Sequence, residues 1–252
     1  MFKLKKVAFA VSVSLLLVLG LTSGIQANDG ENGQEASGEM PEGAVGSYTV
    51  NGELHWIVPG GDIKVVDFSG ISKEEIFKTI QMSPEEEAKI VHGVPPCPEV
   101  IIDGVPCKSE AISKFDGKQL GFTTGVDGKL YAFTSEEKLE TFQNQQINDV
   151  LQEKSDSNEA IMSIDPIYSY YYYNWYCGGD YITLEYRISL ANLPPNWDNQ
   201  ISSLEVNTSC YATRLYDYTN FTGDYFEALA GTTYSVLFFQ GWNDRASSIL
   251  HY

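Results

Sequence analysis

The sequence is poor in the residues on which most enzymes and nucleic-acid binders rely. It has three histidines, four cysteines, and 16 Lys plus Arg against 34 Asp plus Glu, a formal charge of −18. A chain this acidic is repelled by phosphate backbones and anionic membrane surfaces, so no nucleic-acid partner is expected. CxxC, HExxH, GxSxG and P-loop patterns are all absent. The histidines are scattered. His55, beside Trp56 in an expected strand, reads as a packed residue, His92 follows a helix whose C-terminal dipole it suits, and His251 is one residue from the end. No catalytic constellation emerges, and the chain reads as non-enzymatic.

A long apolar run occurs once, from Val7 to Leu21, behind Lys3, Lys5 and Lys6. Small and polar residues follow, and Ile25-Gln26-Ala27 suits cleavage after Ala27, so residues 1–27 read as a signal peptide. The run is near the lower limit for a membrane span, and no cysteine near the cut would anchor a lipid. The mature protein is therefore expected to be secreted and not membrane-embedded. In an exported chain an even cysteine count suggests disulfides, and proximity pairs Cys97 with Cys107 and Cys177 with Cys210.

Composition divides the rest. Residues 28–47, rich in Gly, Glu and small side chains, read as a flexible leader. Residues 48–151 mix strand and helix signals and predict a small α+β domain of unknown function. "ELHWIVP" and "IKVVDF" carry β-branched and aromatic residues around the turn Pro59-Gly60-Gly61. Ser83-Pro84-Glu85-Glu86 and Thr134-Ser135-Glu136-Glu137 are helix starts. Asp103-Gly104, Asp116-Gly117 and Asp127-Gly128 suggest hairpin turns. Residues 152–164 read as a linker. Beyond it lysine vanishes and fourteen of the sixteen tyrosines crowd in.

Residues 165–252 repeat themselves. At a spacing of 45, Tyr171, Tyr176 and Gly178 match Tyr216, Phe221 and Gly223, Leu184 matches Leu229, and Trp197 matches Trp242. The match continues from Asp198-Asn199-Gln200-Ile201-Ser202-Ser203 to Asn243-Asp244-Arg245-Ala246-Ser247-Ser248. Agreement at several independent positions marks a true internal repeat, and its Tyr, Ile, Val and Phe content makes the unit β.

The order aromatic-x-x-x-x-aromatic-x-Gly, then Asx-Asx-x-x-Ser-Ser, resembles the Greek-key motif of the βγ-crystallin superfamily. That resemblance covers the last third of the chain and implies an all-β sandwich of two Greek keys behind the α+β domain. Calcium takes six to eight oxygen ligands, and the two loops are rich in them. Carried over from calcium-binding members, the ligands would be Asp198, Asn199, the Gln200 carbonyl and Ser202, with Asn243, Asp244, the Arg245 carbonyl and Ser247. Ser203 and Ser248 are expected to be structural. Few full carboxylates imply a dissociation constant on the order of 10⁻⁵ to 10⁻³ M. The first hairpin lacks a carboxylate where the second has Asp217, which ranks the site served by the first hairpin lower. In the same fold such loops also persist as plain turns bonded by Ser and Asn. The superfamily also implies an alternative role as a secreted inhibitor of extracellular metalloproteinases. A tyrosine-rich surface contacting the cell envelope is a third reading.

Overall fold

A computed structural model describes residues 40–154 and 167–252, all within one compact unit. The expected signal peptide and most of the expected leader and linker lie outside the described residues. The first half supplies β1 (Gly46–Val50), β2 (Glu53–Ile57), β3 (Val65–Asp67), α1 (Lys73–Thr79) and α2 (Pro84–Glu87). It continues with β4 (Glu99–Ile102), β5 (Val105–Lys108), β6 (Gly121–Thr124), β7 (Leu130–Phe133) and α3 (Glu136–Lys154). The second half supplies β8 (Tyr168–Asn174), β9 (Gly178–Glu185), β10 (Ile188–Leu190) and β11 (Ser203–Glu205). It ends with β12 (Ala212–Tyr218), β13 (Thr222–Leu229), β14 (Thr233–Tyr234) and β15 (Ser248–His251). Among the described residues no helix is long and apolar enough to cross a membrane.

Local chemistry accounts for most of these elements. Asn51-Gly52 and Asp103-Gly104 both have positive φ and close the hairpins β1–β2 and β4–β5, as two-residue turns of this type require. Ser83 caps α2 through a reciprocal bond with Glu86, and Ser72 caps α1 in the same way with Glu75. Asp127-Gly128 lies in the turn between β6 and β7. Asp116-Gly117 follows a short 3-10 helix, so it is not the hairpin expected.

The second half folds as two Greek keys that exchange strands. β8, β9 and β11 of the first key form a sheet with β14 of the second, while β12, β13 and β15 take β10 of the first. Neither key covers its apolar face alone, and the exchange locks the two together.

The first half does not stand apart as a separate domain. β1 pairs with β9, β3 with β10 and β6, in parallel, with β13, extending the sheets to six and nine strands. One buried cluster holds Ile57, Val100 and Phe122 of the first half with Tyr171, Trp197 and Trp242 of the second. The α+β content expected for 48–151 is present, but its strands are spent on the sandwich edges. The leader also ends sooner than drawn, since Ala44 is buried and Gly46 opens β1.

All four cysteines are free thiols, against the expected disulfides. Cys107 lies opposite Val100 in the β4–β5 hairpin, whereas Cys97 precedes β4 and sets its Sγ beside Ser109 Oγ at 3.8 Å. Cys210 sits by Asn207, which bonds Ser169 near the start of β8, whereas Cys177 follows the end of that strand.

Candidate cation clefts between paired loops

Strand register corrects the repeat spacing. Asn174 lies opposite Gly178 and Tyr218 opposite Thr222, so the hairpins correspond at 44 residues (174 to 218) and not 45. Tyr172 is thus the counterpart of Tyr216, and Cys177 that of Phe221. Gly179, with φ 77°, is the counterpart of Gly223, with φ 81°. Both keys hold the same loop bond, from Leu193 N to Ser247 O (3.0 Å) and from Leu237 N to Ser202 O (2.9 Å). The spacing becomes 45 between these leucines and the tryptophans, where the second copy has one extra residue and Gly241 takes φ 71°.

Beyond the tryptophans the two Asx-Asx-x-x-Ser-Ser loops meet around a local two-fold. Asn199 N donates to the Ala246 carbonyl (2.9 Å) and Asp244 N to that of Ile201 (3.0 Å). Asn199 and Asp244 both have left-handed φ, 57° and 54°, which Asn and Asp tolerate better than other side chains. The fifth-position serines cross over. Ser202 Oγ donates to Asp244 Oδ1 (3.0 Å) and Ser247 Oγ to Asp198 Oδ1 (2.6 Å). Each carboxylate also accepts an amide from its own loop, Asn243 Nδ2 to Asp244 Oδ2 (2.6 Å) and Asn199 Nδ2 to Asp198 Oδ2 (3.2 Å). Ser203 and Ser248 instead tie the hairpins, donating to the carbonyls of Asn174 (2.6 Å) and Tyr218 (2.7 Å). That is the structural role expected of them.

Each loop pair and its hairpin line a cleft. The first, of about 440 Å³, is bounded by Tyr173, Asn174, Trp175, Gln200, Ser202, Asn243 and Asp244. Its lining includes a single carboxylate, Asp244, and no basic side chain. Trp175 Nε1 donates to Asn243 Oδ1 (2.6 Å), which fixes that amide's orientation. The second cleft, of about 320 Å³, has the counterparts Asp217, Tyr218, Asn199 and Arg245, and is walled by Pro95, Pro96 and Phe122 of the first half.

The clefts differ in charge arrangement. Asp217, the carboxylate that favoured the second hairpin, is held by Arg245 Nη2 at 2.8 Å. The same nitrogen donates to Asp224 Oδ2 at 2.9 Å, and the guanidinium lies 4.4 Å from the centre of the Trp242 ring. Asp224 is fully buried, accepts from Leu120 N (2.8 Å), and faces His92 Nε2 at 3.3 Å. His92 Nδ1 meets Asp116 Oδ1 at 3.1 Å. Burial pushes Asp217 up to about 6, against the pull of Arg245 and with help from the Asp224 charge. Burial disfavours a charged His92, but the bonds and charges of Asp224 and Asp116 outweigh it, so its pKa is raised. Asp224, Asp116 and this role of His92 escaped sequence reasoning. The position of Asp224, next to the hairpin glycine Gly223, was the available signal.

Of the eight loop residues expected as ligands, Gln200, Ser202, Asn243 and Asp244 line the first cleft together, whereas the second is lined by Asn199 and Arg245 alone of the other four, Ser247 and Asp198 being bonded to each other outside that lining. The paired keys form a βγ-crystallin-like sandwich. No family model matches the chain, and no curated protein matches it. Several solved βγ-crystallin domains are similar to about a third of it. A structure bearing on the evolution of the eye-lens βγ-crystallin fold is 16% identical, with a TM-score of 0.33, covering 36% of this chain and 92% of its own. A βγ-crystallin from an archaeon is 21% identical, with a TM-score of 0.30, covering 35% and 100%. A βγ-crystallin domain of the abundant perithecial protein of Neurospora crassa, in its Ca²⁺-bound form, is 19% identical, with a TM-score of 0.30, covering 35% and 91%. The crystallin-like assignment of the sandwich rests on its own strand exchange and loop geometry.

Proposed function

We propose that this is an exported, non-enzymatic, calcium-binding βγ-crystallin-like protein whose ion joins the two Greek keys. The observation that carries the reading is the crossed arrangement at the first cleft. Ser202 of one loop and Asp244 of the other converge there with Asn243 in a lining that offers oxygen donors and no competing cation. Among the described residues no group of three or more His, Cys, Asp or Glu side chains is placed to hold a metal ion. A soft, imidazole- or thiolate-seeking metal is therefore poorly served, whereas mixed carboxylate, amide, hydroxyl and carbonyl oxygens suit a hard cation. Asp244, Asn243, Ser202 and the Gln200 carbonyl would hold an ion at the first cleft; Asp198, Asn199, Ser247 and the Arg245 carbonyl are their counterparts at the second. Bound calcium supplies neutralising charge and a cross-link between keys. The Ser and Asn hydrogen bonds satisfy the same carboxylates without it.

Export is supported by the basic head and apolar run at the N-terminus. Calorimetric titration of the full chain with calcium, paired with melting curves in calcium and in chelator, tests the reading. Binding heat and a higher melting temperature in calcium are expected; absence of both would overturn it. A second reading draws on Trp175, Tyr176, Phe238 and Phe239, which are 46%, 75%, 43% and 66% exposed. Trp175 and Phe238 are in ring contact at 6.0 Å, and exposed aromatics of this kind anchor protein partners. Inhibition of a thermolysin-like proteinase at micromolar protein would support an inhibitor built on that edge, and no inhibition would discard it.

A further inference from the structure

We propose that Arg245 is the built-in cation of the second cleft, so that the protein takes up one calcium ion, at the first cleft, where duplicated loops would otherwise hold two. The proposal rests on the calcium reading above and deepens it. The two clefts are related residue by residue: Tyr173 corresponds to Asp217, Asn174 to Tyr218, Asp244 to Asn199 and Gln200 to Arg245. At the first, Gln200 sends a neutral amide toward its own loop, bonding the Asp198 carbonyl at 3.4 Å. At the second, the same position carries a guanidinium bonded to Asp217 and Asp224.

That guanidinium is well held. Its side chain is 24% exposed, between carboxylates that are 12% and 0% exposed, and it lies over the Trp242 ring. Phe122, its centroid 5.8 Å from the guanidinium carbon, and Pro95 and Pro96 beside Gly241 wall the cleft from the first half of the chain. An entering dication would meet a fixed like charge in a partly desolvated cleft, where repulsion is several-fold stronger than in water. It would also have to displace charge-assisted hydrogen bonds, which are about twice as strong as neutral ones. The first cleft has no fixed like charge, and the hydrogen bonds an ion would displace there, from Ser202 and Asn243 to Asp244, come from neutral donors. The carboxylate of the second cleft is already engaged from within by the guanidinium.

Calcium titration by calorimetry of the wild-type chain, Asp244→Asn, Asp198→Asn and Arg245→Gln tests this. We expect one ion in the wild type, none or at least about tenfold weaker binding in Asp244→Asn, and one ion still in Asp198→Asn. Arg245→Gln frees Asp217, whose Oδ1 is buried without a hydrogen-bond partner, and should gain a second ion and a larger calcium-induced rise in melting temperature. Two ions in the wild type, or an ion retained at full affinity in Asp244→Asn, would overturn the proposal and leave the calcium reading intact. No ion in the wild type would overturn both. A folded Arg245→Gln that stays at one ion would refute the guanidinium's role, and if that variant fails to fold, the Asp244 and Asp198 variants still decide.

Discussion

Alanine placed singly at Gly223, Gly179 and Gly178 separates the true hairpin correspondence from the one the sequence suggests. A Cβ on Gly223 would lie 1.9 Å from Asp217 Oδ1 and 2.7 Å from the Tyr218 ring, on a backbone at φ 81°. Left-handed φ costs a non-glycine residue about 1–2 kcal/mol. Asp217 would also have to swing away from Arg245, losing a hydrogen bond between charged groups worth about 1.5–3 kcal/mol. Gly223→Ala should therefore cost about 3–5 kcal/mol, a large share of the 5–15 kcal/mol typical of a folded domain. At Gly179 the φ is 77°, but the Cβ meets the end of the Asn174 side chain at 2.5 Å, which can rotate aside; about 1–2 kcal/mol is expected from the backbone alone. Gly178 is outside the left-handed region and its nearest neighbour, the Trp175 carbonyl oxygen, is at 3.3 Å, so its cost should stay under about 1 kcal/mol. Urea unfolding of the full chain gives each value from the shift in midpoint at constant slope. A Gly178→Ala variant as damaged as Gly179→Ala, or a Gly223→Ala variant within 1 kcal/mol of wild type, would refute the geometry argued here.

His92 has its folded pKa raised above the usual 6.5 by Asp224 and Asp116 against the pull of burial, so its contribution to stability is complete below 6.5 and is lost as the pH rises through the folded value. Stability should fall across that window, and His92→Gln should flatten the profile measured by urea unfolding at a series of pH values. Arg214, with a 3% exposed side chain, is paired to Glu227 and Glu136 and lies 4.2 Å from the Tyr225 ring centre, so Arg214→Leu strands a buried carboxylate and should cost about 3–5 kcal/mol in the same assay. Thiol titration after denaturation without reductant should find all four cysteines, and peptide mapping no link between Cys177 and Cys210.

The second half was legible because its signals are local and duplicated. Paired tryptophans, Asx-rich loops and hairpin glycines each reflect a short-range requirement, and Trp197 and Trp242 are indeed fully buried. The spacing of 45 misled at the hairpins because a run of tyrosines gives acceptable matches in two registers. Structure resolves them through the single extra residue before Trp242. Capping boxes at Ser83 and hairpin turns such as Asp103-Gly104 were readable for the same local reason. Where the first-half strands pair was not readable. The contact of β6 with β13 joins residues about a hundred apart, and nothing in "GFTT" names its partner. The pairing of Arg245 with Asp217 and Asp224 was hidden likewise, since it joins residues 28 and 21 positions apart.

Strands β1, β3 and β6 occupy three flanks of the crystallin-like core, along β9, β10 and β13. Cutting the chain before residue 165 would lay bare three rows of backbone amides and carbonyls that other molecules readily zip onto. It would also strip Trp197 Nε1 of its acceptor, the Thr49 carbonyl at 3.0 Å. The leading half is thus the scaffold's hem, and a tail expressed alone would report on stickiness before it reported on calcium.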